Sequence, residues 1–224
     1  MNNPRPQISR VTRSQAEASA SYSRMSRWYH VLFDPFERRY RQAGYRLLAV
    51  REGEHTLGVG FGAGEGLHAL AEAVGATGSV TGIDIAAGMC QAADDLLTRA
   101  GVRARVTLIC GDAMKMPFPA DTFDAIMMSF TLELFDTAEI PVVLAECRRV
   151  LRPGGRICVV AMACANPPGL MQRLYEWAHR RFPTVIDCRP ILPGVALTHA
   201  GFHVQTSTRM STFGLPIDII LAKV

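Results

Sequence analysis

The sequence predicts an α/β fold, in which helices cover both faces of a doubly wound, mostly parallel sheet. From about residue 55 to residue 161, short apolar runs alternate with helical patterns, which is typical of consecutive βα units. A glycine-rich stretch over residues 58–66 joins the first apolar run to a helix, as a tight βα turn requires. Near the C terminus, two β-rich runs flank a short turn and predict a closing antiparallel hairpin.

Each predicted strand is a short apolar run bounded by turn residues. The five runs in the alternating part of the chain cover residues 55–59, 79–85, 104–110, 123–129 and 156–161. Helical spacing predicts three helices between them, at residues 64–74, 87–100 and 140–151. After residue 165 the rhythm changes, and we expect a helix over 170–181, a Pro-containing loop over 184–194, a short helix ending near Gly201, and strands over 203–210 and 216–223.

The N-terminal segment differs from this alternating core. Residues 1–21 are polar and rich in Ser, Arg and Pro, which predicts a disordered tail. Aromatic and apolar residues at helical spacing predict a helix over 22–33, and Asp34-Pro35 separates it from a second helix over 36–50. We assign the arginines of the second helix to its outer face: Arg38, Arg39, Arg41 and Arg46. Such a basic, aromatic pair is typical of a lid over a pocket or of a membrane-surface element, with a solvated basic face as the alternative.

Composition narrows the functional class. The formal net charge of +4 is too mild to indicate nucleic-acid binding without a focused basic patch. The six Cys include no C-x-x-C pair and no zinc spacing, so we predict reduced thiols, mostly in the core, and no metal site. The sequence has neither a signal-peptide pattern nor an apolar run long enough to span a bilayer. We therefore expect a cytoplasmic protein, and the basic helices leave peripheral contact with a membrane surface open.

The glycine-rich stretch fits two cofactor-binding patterns. Gly60-x-Gly62-x-Gly64 is the spacing of the S-adenosylmethionine (SAM) loop in methyltransferases. Gly58-x-Gly60-x-x-Ala63 also satisfies the relaxed dinucleotide pattern, with Ala in the third place. Glycines allow the backbone to turn sharply and to lie directly against a ligand, and the following helix directs its first N–H groups there. The loop alone does not choose between the two cofactors.

Two acidic residues after later strands add to this pattern. Asp84 ends the second strand roughly 20 residues past the glycine loop, where a carboxylate can accept both ribose hydroxyls of NAD or SAM alike. A helix-capping Asp is the structural alternative. Gly111-Asp112-Ala113 follows the third strand, where Asp112 can accept a hydrogen bond from an adenine amino group and Ala113 leaves room for the ring. An apolar wall follows: Met114, Met116, Pro117 and Phe118. This loop favours SAM over a dinucleotide.

Six motifs occur in order with regular spacing: Y-S-R-M-S-R-W-Y, the G-x-G-x-G loop, G-I-D-I-A-A-G-M, G-D-A-M-K-M-P-F-P, F-D-A-I-M-M-S-F-T-L-E-L-F and E-C-R-R-V-L-R-P-G-G-R. Together they resemble class I SAM-dependent methyltransferases, closest to the ubiquinone and menaquinone C-methyltransferases (methyltransferase type 11). The resemblance covers about residues 22–162. It implies a seven-stranded sheet whose reversed last strand lies beside the fifth. It also implies a tail (1–21) and one methyltransferase domain (22–224), divided into a helical lid (22–50), a cofactor-binding core (51–165) and an acceptor-side segment with the hairpin (166–224).

The resemblance also implies residue roles around SAM and its product S-adenosylhomocysteine. Gly60, Gly62 and Gly64 are expected to line the methionine and ribose, and Asp84 to hold the ribose hydroxyls. The adenine is assigned to Ile85, Met89, Asp112 and Ala113. The methyl-transfer zone is assigned to Ser129, Phe130 and Leu134. Tyr22 matches an aromatic that covers the cofactor in this branch.

The chain departs from the family pattern at two places in the loop. The family usually has Asp or Glu where this chain has Gly58, and often has Cys where this chain has Phe61. The missing carboxylate normally helps to satisfy the ammonium group of the cofactor, and losing it costs about 1.5–3 kcal/mol if nothing replaces it. We therefore expect Gly58→Glu to tighten SAM binding if that ammonium lacks partners here.

The function expected from the resemblance is methyl transfer to a hydrophobic small-molecule or lipid-like acceptor, with a quinone precursor or phenol favoured. The alternatives are a phospholipid amine N-methyltransferase, a SAM-fold partner or regulator without catalysis, and an NAD-dependent oxidoreductase. No catalytic residue follows from the fold, and the candidate bases or orienters, each with a structural role as the alternative, are Tyr29, His30, Tyr175, His179 and Arg189. We expect aromatic and apolar residues of the segments 22–50 and 167–194 to wall the acceptor crevice, among them Trp28, Phe33, Phe36, Leu170, Leu174 and Trp177.

Overall fold

A computed structural model describes residues 34–165, 167, 169–181 and 188–224. Its helices are α1 (Asp34–Leu48), α2 (Glu65–Ala73), α3 (Ala87–Arg99), α4 (Ile140–Val150), α5 (Leu170–Arg181) and α6 (Pro193–His199). Its strands are β1 (His55–Val59), β2 (Ser79–Asp84), β3 (Val106–Cys110), β4 (Phe123–Ser129), β5 (Leu151–Met162), β6 (His203–Thr212) and β7 (Leu215–Lys223). The predicted tail, the first lid helix and residues 184–187 of the predicted 184–194 loop lie outside the described residues.

The strands form one seven-stranded sheet in the order β3-β2-β1-β4-β5-β7-β6. Strands β1 to β5 are parallel, and β7 runs antiparallel to both β5 and β6. The predicted doubly wound sheet with a reversed strand beside the fifth is confirmed. The chain order reverses between β1 and β4, and in open α/β sheets ligands bind at such a point, beyond the carboxyl ends of the strands.

Helix α1 and strand β5 begin earlier in the chain than the sequence predicts. Helix α1 begins at Asp34, so Pro35 lies in its first turn and not before the helix. Proline is tolerated at this position because the N–H it lacks has no acceptor within the helix. Strand β5 begins at Leu151, which pairs with Phe123, and the register shifts before the regular pairing of β4 and β5 resumes.

Helices cover the sheet on both faces. Helices α1 to α3 pack on one face, around a core that includes Tyr40, Leu48 and Leu67, and helices α4 and α6 pack on the other. Gly44 lets α1 approach closely, because a Cβ at this position would lie 2.7 Å from both Met127 Cε and Val160 Cγ2. Helix α1 therefore lies directly over strands β4 and β5.

Helix α1 has three distinct faces. Tyr40, Gly44 and Leu48 form the core face. The residues at positions 37, 41 and 45 are half-buried and share a second face. The third face is exposed and carries Arg38, Arg39 and Arg46. The prediction that Arg41 lies on the outer face was wrong: its side chain is only 15% exposed and forms an ion pair with Glu37 at 3.0 Å.

The same helix is attached to the C-terminal hairpin. The hydroxyl of Tyr40 and a guanidinium N–H of Arg39 both donate hydrogen bonds to the carbonyl of Ser211, at 2.9 and 3.0 Å. Because Ser211 lies near the tip of the β6–β7 hairpin, the hairpin and α1 support each other.

All six cysteines are free thiols. Cys147, Cys158 and Cys164 are buried, whereas Cys110 is exposed and Cys90 and Cys188 are half-buried. None of the helices in the described part of the chain is long and apolar enough to cross a bilayer.

Candidate cofactor site

The glycine loop lies between β1 and α2 at the carboxyl edge of the sheet. Gly60, Gly62 and Gly64 have φ values of +67°, +54° and +100°. Any Cβ at Gly60 would lie 2.3 Å from Thr131 Oγ1, so the loop packs tightly against the end of β4 there. At Gly62, in contrast, no atom of the described residues lies within 4 Å of an added Cβ. The loop therefore presents open backbone at Gly62, in a conformation that glycine adopts most easily.

Asp84 fastens this loop to the end of β2. Its Oδ2 accepts a hydrogen bond from Gly62 N at 3.0 Å, and its Oδ1 accepts one from Ala86 N at 2.9 Å. Burial raises the pKa of Asp84, although hydrogen bonds from the N–H groups of Ala86, Gly62 and Ile85 act in the opposite direction. A carboxylate has about four acceptor positions. Asp84 therefore already has a structural role and keeps capacity to accept ribose hydroxyls.

The loop after β3 is held by side chains on both sides. Asp112 Oδ1 accepts a hydrogen bond from Met114 N at 2.8 Å, which closes a local turn. Glu146 on α4 accepts a hydrogen bond from Met116 N at 2.9 Å. Ala113 and Met116 are buried in the core, whereas Met114, Pro117 and Phe118 are half-buried or exposed. Of the four residues of the predicted apolar wall, Met114, Pro117 and Phe118 are therefore accessible to a ligand, whereas Met116 is not.

Two of the residues assigned to the adenine follow Asp84 in the chain. Ile85 is half-buried directly after it. Met89 is 2% exposed and packs beneath the loop against Ala63 and Ala86. Met89 thus supports the shape of the loop from below.

The end of β4 contributes polar groups and one residue with a strained backbone to the site. Ser129 Oγ is buried and has no hydrogen-bond partner among the described residues. Phe130 has φ +51°, a conformation that costs a non-glycine residue on the order of 1–3 kcal/mol. Its ring is buried edge-to-face against Tyr40, with the centroids 6.3 Å apart. Thr131 Oγ1 donates to the carbonyls of Gly60 and Ser129, at 3.3 and 3.0 Å. Phe130 therefore supports helix α1 through Tyr40. Leu134, the third residue assigned to the methyl-transfer zone, is half-exposed.

The two departures from the family pattern belong to one packing unit. Gly58 and Gly82 are directly paired in β1 and β2. Leu67 covers both: its methyl carbons lie 2.6 Å from where a Cβ would stand at either glycine. Phe61 covers Gly82 as well, with its Cδ1 2.7 Å from the same point. The place of a carboxylate on β1 is therefore filled by Leu67.

A pocket of about 70 Å³ lies between α1 and the glycine loop. Its lining includes the second face of α1, the first turn of α2, the loop itself and the end of β4, through Glu37, Arg41, Tyr45, Glu65 and Ser129. Burial raises the pKa of Tyr45 to about 12, while nearby Arg41 lowers it and nearby Glu65 raises it. The pocket thus combines charges of both signs with a buried hydroxyl.

The acceptor-side candidates have structural contacts. Arg189 is fully buried and donates hydrogen bonds to the carbonyl of Phe135 at 2.6 Å and to Thr137 Oγ1 at 3.2 Å. Burial lowers its pKa, which the nearby carboxylates partly offset. Tyr175 donates to the carbonyl of Cys188 at 3.1 Å, and His179 is 5% exposed. These contacts hold the segment after β5 in place. Tyr22, Tyr29 and His30 lie outside the described residues.

Comparison with known proteins agrees with this geometry. A family described as a methyltransferase domain matches residues 57–155. Residues 57–155 therefore correspond to a methyltransferase domain. A demethylmenaquinone methyltransferase of Listeria monocytogenes serotype 4a (strain HCC23) is 32% identical over 154 residues, which cover 69% of this chain and 62% of that relative. The chain thus spans less than two thirds of the length of that relative.

Solved structures share the fold of this methyltransferase domain. A SAM-dependent methyltransferase from Aquifex aeolicus matches with a TM-score of 0.64 at 21% identity, covering 92% of this chain and 98% of that one. The cyclase SpnF matches with a TM-score of 0.66 at 18% identity, covering 83% of this chain and 80% of that one. SAM is the cofactor that the family and the fold imply. None of the alternative functions is favoured, although a shared fold does not by itself determine the reaction.

Sequence reasoning missed the charged lining of the pocket between α1 and the glycine loop. Glu37, Arg41 and Tyr45 follow one another at intervals of four residues, which places them on one helical face. That spacing was visible in the sequence. Its importance was not, because only the fold shows that this face lies over the glycine loop.

Proposed function

We propose that this protein transfers a methyl group from SAM to a hydrophobic small-molecule or lipid-like acceptor, with a quinone precursor or a phenol as the favoured acceptor. The observation that carries the choice of acceptor is an exposed apolar surface on α5 and the hairpin tip. The relatives named demethylmenaquinone methyltransferase support the same choice.

The residues of the site fit SAM. Gly62 offers backbone in open space, and Asp84 keeps acceptor capacity for a ribose. We further assign the half-buried Asp112 and Ile85 to the adenine, as the resemblance implies, with Ala113 and Met89 shaping the surface behind them. When bound, SAM supplies a methyl group that its sulfonium has already activated. The chain then has to hold the acceptor in line and exclude water.

The apolar surface is formed by side chains that a folded protein usually covers. Leu170, Leu174 and Trp177 follow one another at helical spacing on α5 and are 84%, 54% and 55% exposed. Phe213, at the tip of the hairpin, is 71% exposed. The tip lies next to α5, because a Cβ at Gly214 would be 3.4 Å from Met171 Cβ. These residues, with Met171, are called the apolar surface below.

Exposed arginines accompany the apolar surface. Arg173 and Arg181 are exposed on α5, and Arg38 and Arg39 are exposed on α1, which contacts the hairpin through Ser211. An apolar surface with basic neighbours is complementary to an anionic bilayer, and each arginine near such a surface contributes about 1 kcal/mol. We therefore propose that this side of the protein rests on anionic lipid while a lipid-like acceptor enters.

A methyl-transfer screen tests the chemistry. Purified protein is incubated with radiolabelled SAM and either quinols, phenols or phosphatidylethanolamine, and label is counted in the extracted lipid phase. Turnover of a quinol or phenol is the expected result. Turnover of phosphatidylethanolamine alone would favour the N-methyltransferase alternative. Tight SAM binding without turnover of any acceptor, or calorimetric binding of NAD in place of SAM, would contradict the proposal.

Co-sedimentation with vesicles tests the membrane contact. We expect binding to vesicles that contain anionic lipid and at least a fivefold loss in the double variant Leu174→Ser/Trp177→Ala. The matched control is Val142→Ser, which alters an apolar side chain 46% exposed on α4. For the charges, Arg38→Ala is compared with Arg99→Ala, which changes an exposed arginine on α3. Equal binding by all variants, or self-association in place of vesicle binding, would overturn this part.

A further inference from the structure

The structure raises the question of what replaces the carboxylate that Gly58 lacks. Leu67 fills the space beside Gly58, so no side chain on β1 can reach the cofactor from there. The pocket beside the loop is lined instead by carboxylates from two other elements. Glu37 belongs to α1, and Glu65 lies in the first turn of α2.

The pocket has the size and charge of a subsite for a small zwitterion. Its volume of about 70 Å³ is far below the roughly 300–1,000 Å³ of pockets that enclose a whole drug-sized ligand. Arg41 and Glu37 form a half-buried ion pair at 3.0 Å, with side chains 15% and 17% exposed. Among the described lining residues, two carboxylates and one guanidinium give a net charge of about −1 when all three are ionised.

Two further groups complete the lining. Tyr45 follows Arg41 by one helical turn, and its hydroxyl reaches the start of α2, since a Cβ at Gly66 would lie 2.3 Å from it. Ser129 also lines the pocket, and its buried Oγ has no hydrogen-bond partner among the described residues. A buried hydroxyl without a partner costs free energy that a polar ligand group would recover.

We propose that this pocket binds the amino-acid end of SAM, with Arg41 holding its carboxylate and Glu65 accepting from its ammonium. This assignment rests on the proposed function. Glu37 is a positioning residue that orients the Arg41 guanidinium, and Ser129 contributes a hydroxyl to the ligand. The role that a carboxylate on β1 has in the family thus passes to helices α1 and α2.

The charge of the ligand agrees with that of the pocket. The amino-acid end of SAM is a zwitterion, and its sulfonium adds one positive charge. A site with a net negative charge therefore attracts SAM more strongly than the neutral thioether product. Arginine suits the carboxylate because its planar fork can donate two parallel hydrogen bonds.

Two probes separate this subsite from the rest of the cofactor site. S-adenosylhomocysteine carries the amino-acid end, and methylthioadenosine is the same kind of thioether nucleoside without it. We expect Arg41→Gln and Glu65→Gln each to weaken S-adenosylhomocysteine binding at least tenfold in calorimetric titrations, with methylthioadenosine binding unchanged within twofold. The matched controls are Arg46→Gln on the exposed face of α1 and Glu72→Gln, an exposed position on α2. Both controls should bind like wild type.

The outcomes distinguish the subsite from the proposed function. Variants that bind S-adenosylhomocysteine as tightly as wild type would overturn the subsite while leaving SAM binding intact. Equal loss of both probes would also overturn it, because the substitutions would then act on the fold of the whole site. Arg41→Lys, which keeps the charge, covers the case in which Arg41→Gln does not fold, and it should retain part of the selectivity. Wild type that binds neither probe would refute the proposed function and the subsite together.

Discussion

Gly58→Glu tests whether Leu67 occupies the place of the family carboxylate. The sequence alone predicts that this change tightens SAM binding if the ammonium lacks partners. The structure predicts the opposite for the single substitution. The new Cβ would lie 2.6 Å from Leu67 Cδ2, and Leu67 is only 1% exposed. Its second methyl lies equally close to the position that a Cβ at Gly82 would take, so Leu67 has no open space over the neighbouring strand.

The expected loss follows from this overpacking. Extra atoms in a close-packed core cost about 1–3 kcal/mol, and a buried carboxylate adds to that cost. Leu67→Ala alone should cost about 2–5 kcal/mol by leaving a cavity. In the double variant the side chain of residue 58 enters that cavity, so the two losses should fall short of their sum by about 0.5–3 kcal/mol.

Urea denaturation of the four proteins measures the coupling, and calorimetry with S-adenosylhomocysteine measures binding. Gly169→Glu is the control for adding a glutamate, since in the described part of the chain nothing lies within 4 Å of a Cβ there. We expect Gly58→Glu to lose stability and to gain no affinity. A stable Gly58→Glu variant that binds the ligand more tightly than wild type would refute the packing argument and the subsite at α1.

Three further predictions concern stability and thiol reactivity. Asp84→Asn should lower the unfolding free energy in urea by about 1–3 kcal/mol, because one backbone N–H of the loop loses its acceptor. Burial acts to raise the pKa of Glu54, but hydrogen bonds, chiefly from Arg156, hold that pKa below its usual value. Glu54→Gln should therefore lower the unfolding free energy measured in urea at neutral pH. This loss should vanish as the pH falls through the pKa that Glu54 has in the folded protein. A thiol reagent should modify exposed Cys110 quickly and Cys147, whose pKa burial raises to about 12, only after unfolding, as mass spectrometry of labelled peptides would show.

The sequence was sufficient for the sheet because strands and glycine turns leave local signals. The predicted bounds of β1 and β4 coincide with the observed ones, His55–Val59 and Phe123–Ser129. Both strands are short apolar runs with turn residues at each end, so periodicity and punctuation agree. The reversed strand was foreseen from the family resemblance.

The orientation of helix faces required the fold. A helical pattern shows which residues share a face, but not what lies opposite that face. The inward position of Arg41 and the full burial of Arg189 depend on the elements that cover them. The helical pattern also did not show how exposed Leu170 and Trp177 are, at 84% and 55%; their place at the acceptor crevice stays a prediction. The contact between Leu67 and two paired glycines joins two strands to a helix, and no local signal encodes it.

Helix α1 links the two proposed binding events, because its second face lines the cofactor pocket and its outer face carries Arg38 toward the proposed bilayer. A ligand that holds α1 against the sheet also fixes the hairpin, through the hydrogen bonds of Tyr40 and Arg39 to Ser211. Thermodynamic linkage requires the coupling to be reciprocal. We therefore expect anionic vesicles to tighten S-adenosylhomocysteine binding by the same factor by which that ligand tightens vesicle binding. Calorimetry with and without vesicles, and co-sedimentation with and without the ligand, measure the two factors. Affinities that do not change in either direction would show that α1 binds its two partners independently.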